Sequence, residues 1–332
     1  MTALVCVPAC FAPAGGEPCA RCAGRARPID ALPRGAIVGG TYRIGRILGR
    51  GGYAITYLAL DTRLGMPVAI KEFMPQGLGV RVDGGAVAAR DTRQSGAFDA
   101  SIASFAAEAQ RLARLRHPGI VQVLRLEQER GTGYLVMPYL EGESLRERHE
   151  ALVAAGRTWD TAALVALMAP VADALAYVHG LSPMLLHRDI KPDNIFLVAE
   201  RGGDVPILLD FGAARHVLAT QQRGRSDSLV HTPGYTPIEQ VIDDQGRQGP
   251  GTDVYALAAT LYVLLTGTAP AESLLRLGLR TMGDDPYVPV AVHRPDLPAA
   301  FGAALDRGLA FSVADRPTSA PAFVAALRAA LA

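Results

Sequence analysis

Short β-like runs, some alternating apolar and polar positions and some apolar throughout, mark the chain from Tyr42 to Met137: Tyr42–Leu48, Ala54–Leu60, Pro67–Glu72, Val121–Leu126 and Tyr134–Met137. A period of two sends successive side chains to opposite faces, so these runs predict β-strands, most of them separated by turn residues. One stretch breaks the pattern. In Ala100–Leu115 the apolar residues Ile102, Phe105, Ala109 and Leu112 recur at helical spacing, which predicts a helix among the strands. After Glu141 the balance turns to helices, expected over Trp159–His179, Thr252–Thr266, Ala299–Ala310 and Ser319–Leu331. The last opens on Ser319 and Pro321, a cap and first-turn pair. Met184–Val241 has no clear period, apart from the apolar run Val205–Leu209, which predicts a buried strand. Strands first and helices after predict an α+β protein of two lobes joined by one connector. Residues 1–34 stand apart as a short Cys-rich segment with several Pro and Gly and little periodicity.

Composition narrows the function. The 332 residues, 49% hydrophobic and 20% charged, suffice for two lobes with a generous core. A net charge of +1 argues against a nucleic-acid or polyanion binder. Thr161–Leu181 contains Asp173 and His179, and Val254–Leu265 is too short to span a bilayer, so no membrane partner is expected. No basic segment followed by an apolar one opens the sequence, and a cytoplasmic setting is expected.

Of the 33 Lys and Arg residues only Lys71 and Lys191 are lysines. A chain that otherwise writes Arg has a reason to keep a compact ammonium at two places. Ammonium is a point charge on a thin stem, whereas guanidinium is a planar fork. The expectation is two tight sites where one small cation meets one phosphate oxygen.

The neighbourhoods of these lysines carry further chemistry. In "LGRGGYAITY", Gly49, Gly51 and Gly52 lie between two strand-like runs, so the turn can bring bare backbone N–H groups close to phosphate; an ordinary flexible hairpin is the alternative. No Gly-Lys-Ser/Thr follows, which excludes a Walker loop. Lys71 ends the run "PVAIK", and Glu108 on the expected helix could pair with it. In "HRDIKPDN" and "LLDFGAAR", Asp189, Asn194 and Asp210 are short oxygen-bearing side chains around Lys191. Asn194 and Asp210 are hard ligands suited to Mg²⁺ against phosphate, Asp189 could accept a hydroxyl proton, and Lys191 could neutralise a moving phosphoryl group.

The order of a Gly-rich hairpin, "VAIK", a helix Glu, "HRDxKxxN" and "DFG" resembles the protein-kinase superfamily over roughly residues 41–332. "KEFMP", "DFGAAR" and "TPGYTPIEQ" are most similar to bacterial Ser/Thr kinases of the eukaryotic-like type. The resemblance implies a bilobal fold, with a Cys-rich head at 1–34 and a kinase domain at 35–332. That domain divides into an N-lobe at about 41–137, a hinge at 138–141 and a C-lobe at 142–332. It implies that Gly49, Arg50, Gly51, Gly52, Tyr53, Ala54 and Thr56 cover ATP. Ala69, Met137, Pro138 and Leu140 would complete the nucleotide site, with Met137 as gatekeeper. Lys71 would hold the α/β-phosphates and pair with Glu108, Asp189 would accept the substrate proton, and Lys191 would contact the transferring phosphate. Thr232 would bridge Asp189 and Lys191, and Asn194 and Asp210 would bind Mg²⁺ or Mn²⁺. Glu239 would pair with Arg316, Asp253 would anchor the catalytic loop, and Leu112, Val123, His187 and Phe211 would stack as an apolar spine, or as plain core packing. Two features depart from the pattern: Ala54 replaces a third glycine, and the Lys71–Glu108 connection is extended.

Regulation is expected in "AARHVLATQQRGRSDSLVH", where Ser226 or Ser228 would be autophosphorylated and Arg188 would receive the phosphate. Cys6, Cys10, Cys19 and Cys22 form two close pairs suited to a zinc-ribbon-like Zn²⁺ site; free or redox-active thiols and a disulfide are the alternatives. The expected partners are protein substrates and regulators, with dimerisation for trans-autophosphorylation. Two competing readings are a small-molecule kinase and a nucleotide-binding pseudokinase scaffold that docks partners through the head.

Overall fold

The computed structural model describes residues 28–82, 85–211 and 231–332. Cys6, Cys10, Cys19, Cys22, Ser226 and Ser228 lie outside the described residues. The described chain forms two compact units, one of residues 28–116 and 121–141, the other of residues 117–120 and 142–211 with 231–332.

The first unit is built on the strands β1 (Ile37–Val38), β2 (Tyr42–Arg50), β3 (Ala54–Asp61), β4 (Met66–Phe73), β7 (Arg125–Glu129) and β8 (Thr132–Pro138). They form an antiparallel sheet in the order β1-β2-β3-β4-β8-β7. Helix α1 (Ser95–Leu112) packs on it through Phe105, whose ring stacks on Phe73 at 5.0 Å between centroids. Tyr57, Leu58, Ile70 and Phe73 are buried beneath.

The alternating runs became strands with one exception. The run Val121–Leu126 is strand only from Arg125 onward. Val121 and Val123 are nevertheless buried, so their alternation marked burial rather than ladder pairing. The helix begins at Ser95, earlier than its apolar spacing implied, because a 3₁₀ turn at Thr92–Gln94, capped by the Asp91 carboxylate on Arg93 N–H, leads into it. The extended connection before it holds a hairpin of β5 (Gly79–Arg81) and β6 (Val87–Ala89), too short to announce itself by period. Arg81 on this hairpin donates to the fully buried Glu72 carboxylate, which also accepts from the Tyr57 hydroxyl at 2.7 Å. Leu32 N–H bonds the same Tyr57 oxygen at 3.0 Å and Arg81 Nε bonds Asp30 carbonyl at 2.7 Å. The linker ahead of the sheet is thereby tied to the strand that carries Lys71.

The second unit is mostly helical. Its elements include β9 (Gly142–Ser144), α2 (Leu145–Ala154), α3 (Thr161–His179), β10 (Ile195–Glu200) and β11 (Gly203–Leu208). After residue 231 follow α4 (Ile238–Val241), α5 (Pro250–Thr266), α6 (Ser273–Arg280), α7 (Val290–His293), α8 (Ala299–Gly308) and α9 (Ala320–Ala329). Every residue from Gly251 to Tyr262 is buried, as befits a helix apolar on all faces at the centre of a core. Pro250 opens α5 and Gly267, at φ +75°, ends it in the left-handed conformation that glycine adopts without penalty. Ser319 accepts from Ala322 N–H at the head of α9, as its position implied. Helix α3 is long and apolar enough to cross a membrane by composition alone, but Leu164, Val171, Leu175 and Val178 are buried in this core. Helix α2 was missed because its apolar stripe is weak. Its signal is the capping box in which Ser144 and Glu147 satisfy each other's backbone N–H groups.

Candidate active site

In the first unit, antiparallel register gathers the expected nucleotide residues onto one face of the sheet. Thr56 faces Lys71 across β3 and β4, and Ala69 faces Met137 across β4 and β8. Residues two apart on a strand share a face, so Lys71 and Ala69 stand together while Glu72 points the other way. Pro138 ends β8, and Leu140 follows before Glu141 closes the unit. The turn between β2 and β3 is closed by Gly51 N–H on Ala54 carbonyl at 2.9 Å. Its Gly52 carbonyl accepts Gln76 N–H at 2.7 Å, which fixes the turn to the segment after β4. A Cβ added at Gly49 or Gly51 would meet no atom of the described residues within 4 Å. Nothing among the described residues requires these glycines, so their bareness is available to a ligand. Glu108 is buried on α1, where a carboxylate needs a counter-charge.

The second unit holds the densest polar cluster. Asp189 Oδ1 accepts from the Thr232 hydroxyl at 3.1 Å and lies 3.3 Å from Lys191 Nζ, which itself donates to Thr232 Oγ1 at 3.3 Å. The expected bridge by Thr232 is present in this geometry, across a separation of 43 residues from Asp189. Asn194 Nδ2 donates to both the carbonyl and Oδ2 of Asp189 at 2.7 Å each. This uses the amide N–H groups and reserves the amide oxygen for a cation.

Asp210 reaches the same place through the β10–β11 hairpin. Ile195 pairs with Leu208, and Leu209 N–H bonds Asn194 carbonyl at 2.8 Å, so Asn194 and Asp210 stand at one end of the ladder. An oxygen pair of this kind, with substrate phosphate oxygens completing the shell, suits a hard divalent cation. Among the described residues no three His, Cys, Asp or Glu side chains group as a metal site by themselves. Asp210 at φ +52° and Arg188 at φ +65° both hold left-handed backbone, a strain that persists only where surrounding structure imposes it.

That surrounding structure is centred on Asp253, fully buried on α5. Its carboxylate accepts His187 N–H, Arg188 N–H and His179 Nε2, each at 2.8 Å. Burial pushes this carboxyl up, but hydrogen bonds from His179 and the backbone outweigh it and hold it below the usual range. His187, whose ring lies 4.5 Å from that of Phe211, donates Nε2–H to Leu209 carbonyl at 2.8 Å and accepts Asp189 N–H at Nδ1, 3.3 Å away. Two members of the expected spine therefore touch in this unit. Leu112 and Val123 are each buried in the other.

The His187 bonds require the neutral ring, and burial pushes its pKa down against the opposing pull of Asp253 and Asp189. The unfolded chain takes up a proton near the ordinary value of ~6.5, while the folded chain does so only at lower pH. Stability should fall as pH drops below that value, and Asp253 should add a further loss only at more acidic pH, where its depressed carboxyl protonates. Urea unfolding at pH 7, 6 and 5 should give a slope that His187→Phe flattens. An identical slope in both proteins would contradict this assignment.

Glu239 on α4 and Arg316 form the other expected pair, at 2.6 and 3.1 Å, both buried. Arg146 and Asp193 form a bidentate pair at 2.6 and 2.8 Å that has no local signal in the sequence, because Arg146 sits on a helix with a weak apolar stripe.

The protein kinase domain family matches residues 42–278. Serine/threonine-protein kinase Pkn1 of Myxococcus xanthus is 33% identical over 96% of this chain and 42% of its own length. PknL of Mycobacterium tuberculosis is 32% identical over 92% of this chain and 69% of its own. The solved structure of PpkA-294 in its apo form superposes with a TM-score of 0.75 at 33% identity, covering 90% of this chain and 99% of that one. The chain spans somewhat under half the length of several curated relatives it matches. With a β-sheet unit, a helical unit and the Asp189 cluster in place, the chain belongs to the protein kinase domain family, among bacterial serine/threonine kinases.

Proposed function

We propose that this chain transfers the γ-phosphoryl group of ATP to serine or threonine hydroxyls of proteins. The observation that carries the proposal is the Asp189–Thr232–Lys191–Asn194 cluster, in which a carboxylate, a hydroxyl and an ammonium lie within 3.3 Å of one another. The substrate hydroxyl oxygen attacks the γ-phosphorus, its proton passes to the Asp189 carboxylate, and the bond to the bridging oxygen breaks to release ADP. Lys191 offsets charge on the transferring group. Lys71 grips the α/β-phosphates, oriented by Glu108, and the bare Gly49–Ala54 turn approaches the phosphates with backbone N–H groups. Asn194 and Asp210 would hold Mg²⁺ or Mn²⁺, which supplies neutralisation of phosphate charge.

A pseudokinase scaffold is disfavoured because Lys71, Asp189 and Asp210 are all retained. Protein regulators, a cytoplasmic setting, dimerisation for trans-autophosphorylation at Ser226 or Ser228, and Zn²⁺ at Cys6, Cys10, Cys19 and Cys22 belong to the same proposal. The supports for zinc are the two close thiol pairs alone.

Labelled ATP incubated with the purified chain and a mixture of casein and myelin basic protein tests the reading. Lys71→Arg should lower incorporation at least tenfold, since a planar fork replaces a point charge. Equal incorporation by both proteins removes the assigned role, and zinc assayed in the same preparation tests the thiols.

A further inference from the structure

Arg146 and Asp193 form a charge pair at the margin of the Asp189 cluster that the proposed transfer step does not use. Asp193 follows Lys191 by two residues on the same loop, and Arg146 is the second residue of α2. The guanidinium meets the carboxylate at two points, Nε to Oδ1 at 2.6 Å and Nη2 to Oδ2 at 2.8 Å. Both side chains remain accessible, at 39% and 40% exposure. Glu150 stands 4.0 Å from Arg146 Nη1.

The surroundings tie the pair to the Asp189 cluster. Burial raises the Tyr235 hydroxyl, which lies within electrostatic reach of both Arg146 and Asp193. Tyr235 N–H in turn bonds the carbonyl of Thr232, the residue whose hydroxyl reaches Asp189. Lys191 and the Thr232–Tyr235 segment are thus both neighbours of the pair.

Asp193, two residues from Lys191 on the loop that carries Asp189, offers a carboxylate to a lysine or arginine flanking a substrate hydroxyl. Here it is already filled, by a partner in the same chain whose two parallel contacts match the carboxylate. An incoming cation must displace an intramolecular competitor present at high effective concentration. We propose that Arg146 is a specificity determinant: it closes Asp193 to basic residues flanking the target serine or threonine, so the chain selects substrates with neutral or acidic flanks. The inference rests on the kinase reading above. If the pair only fastened α2 to the loop, its loss would slow all substrates alike.

The test uses synthetic peptides with one central serine in an Ala/Gly scaffold and a single Arg, Ala or Glu at each neighbouring position. Relative kcat/KM is measured for the wild type, Arg146→Ala and Asp193→Asn, with thermal unfolding as a check on folding. The wild type should rank Ala and Glu peptides above Arg peptides. Arg146→Ala should raise the Arg-to-Ala ratio about fivefold at one flank, the scale of a half-exposed ion pair. Asp193→Asn, which is isosteric and uncovers Arg146, should raise the Glu-to-Ala ratio by a similar factor, and it carries the test if Arg146→Ala fails to fold. Transfer with unchanged ratios in the folded variants overturns this inference and leaves the kinase reading intact. No transfer by the wild type to any peptide or to either protein acceptor overturns the kinase reading, and this inference with it.

Discussion

Asp189→Asn should reduce phosphoryl transfer about a thousandfold, the scale of a lost general base, while nucleotide binding persists. The substitution keeps the shape of the side chain and removes its capacity to take a proton. It also disturbs the cluster, because Asp189 is an acceptor on both sides, from Asn194 at 2.7 Å and from Thr232 at 3.1 Å. An amide must turn its N–H₂ toward one of them, so a stability loss of about 1–2 kcal/mol should accompany the change. The two effects separate experimentally. Single-turnover rates with labelled ATP report the chemistry, and a fluorescent nucleotide titration reports binding. A residual rate within tenfold of the wild type would show that another group takes the proton.

The second large effect is on stability. Arg316 is a saturated donor: Nη1 bonds Glu239 Oε1 at 2.6 Å and Gly251 carbonyl at 3.0 Å. Nη2 bonds Glu239 Oε2 at 3.1 Å and Phe311 carbonyl at 3.0 Å, while Nε bonds Ala310 carbonyl at 2.8 Å. Its guanidinium also lies over the Tyr255 ring, 4.9 Å from the centroid. Arg316→Met would leave the Glu239 carboxylate and three carbonyls without this donor, and Glu239 is only 2% exposed. The expected cost is about 3–5 kcal/mol, read from urea unfolding. Thr252 also donates to Glu239, at 3.1 Å, but one hydroxyl does not neutralise a buried charge. Adding Glu239→Gln to Arg316→Met should recover part of the loss, because the stranded charge is then gone. A single-variant cost below about 1 kcal/mol would mean that water reaches the site and the pair counts for little. Transfer should also weaken, since α4 directly follows the segment that presents Thr232.

Much of the site was legible because its chemistry tolerates few residue types. Lys71 and Lys191 stand out in a chain that writes Arg almost everywhere else, and the proposed roles of Asp189, Asn194 and Asp210 each admit only an oxygen-bearing side chain. The Glu239–Arg316 pair and the anchoring role of Asp253 followed from resemblance rather than from local pattern. The β5–β6 hairpin was illegible because three-residue strands hold too little alternation to detect. The Glu72–Tyr57–Arg81 cluster was hidden for another reason: Glu72 beside Lys71 looks like an ordinary outward residue until the hairpin covers it.

By itself, then, the sequence determined the α+β class, the strand-then-helix order and the candidates for the reactive side chains, since period and residue chemistry are local properties. Only the tertiary structure decided that a hairpin ladder brings Asn194 and Asp210 to one end, that the β5–β6 hairpin covers Glu72, and that Arg146 covers Asp193. These are contacts between residues separated along the chain. Their partners are chosen by packing and charge compensation in three dimensions, which no period along one dimension records.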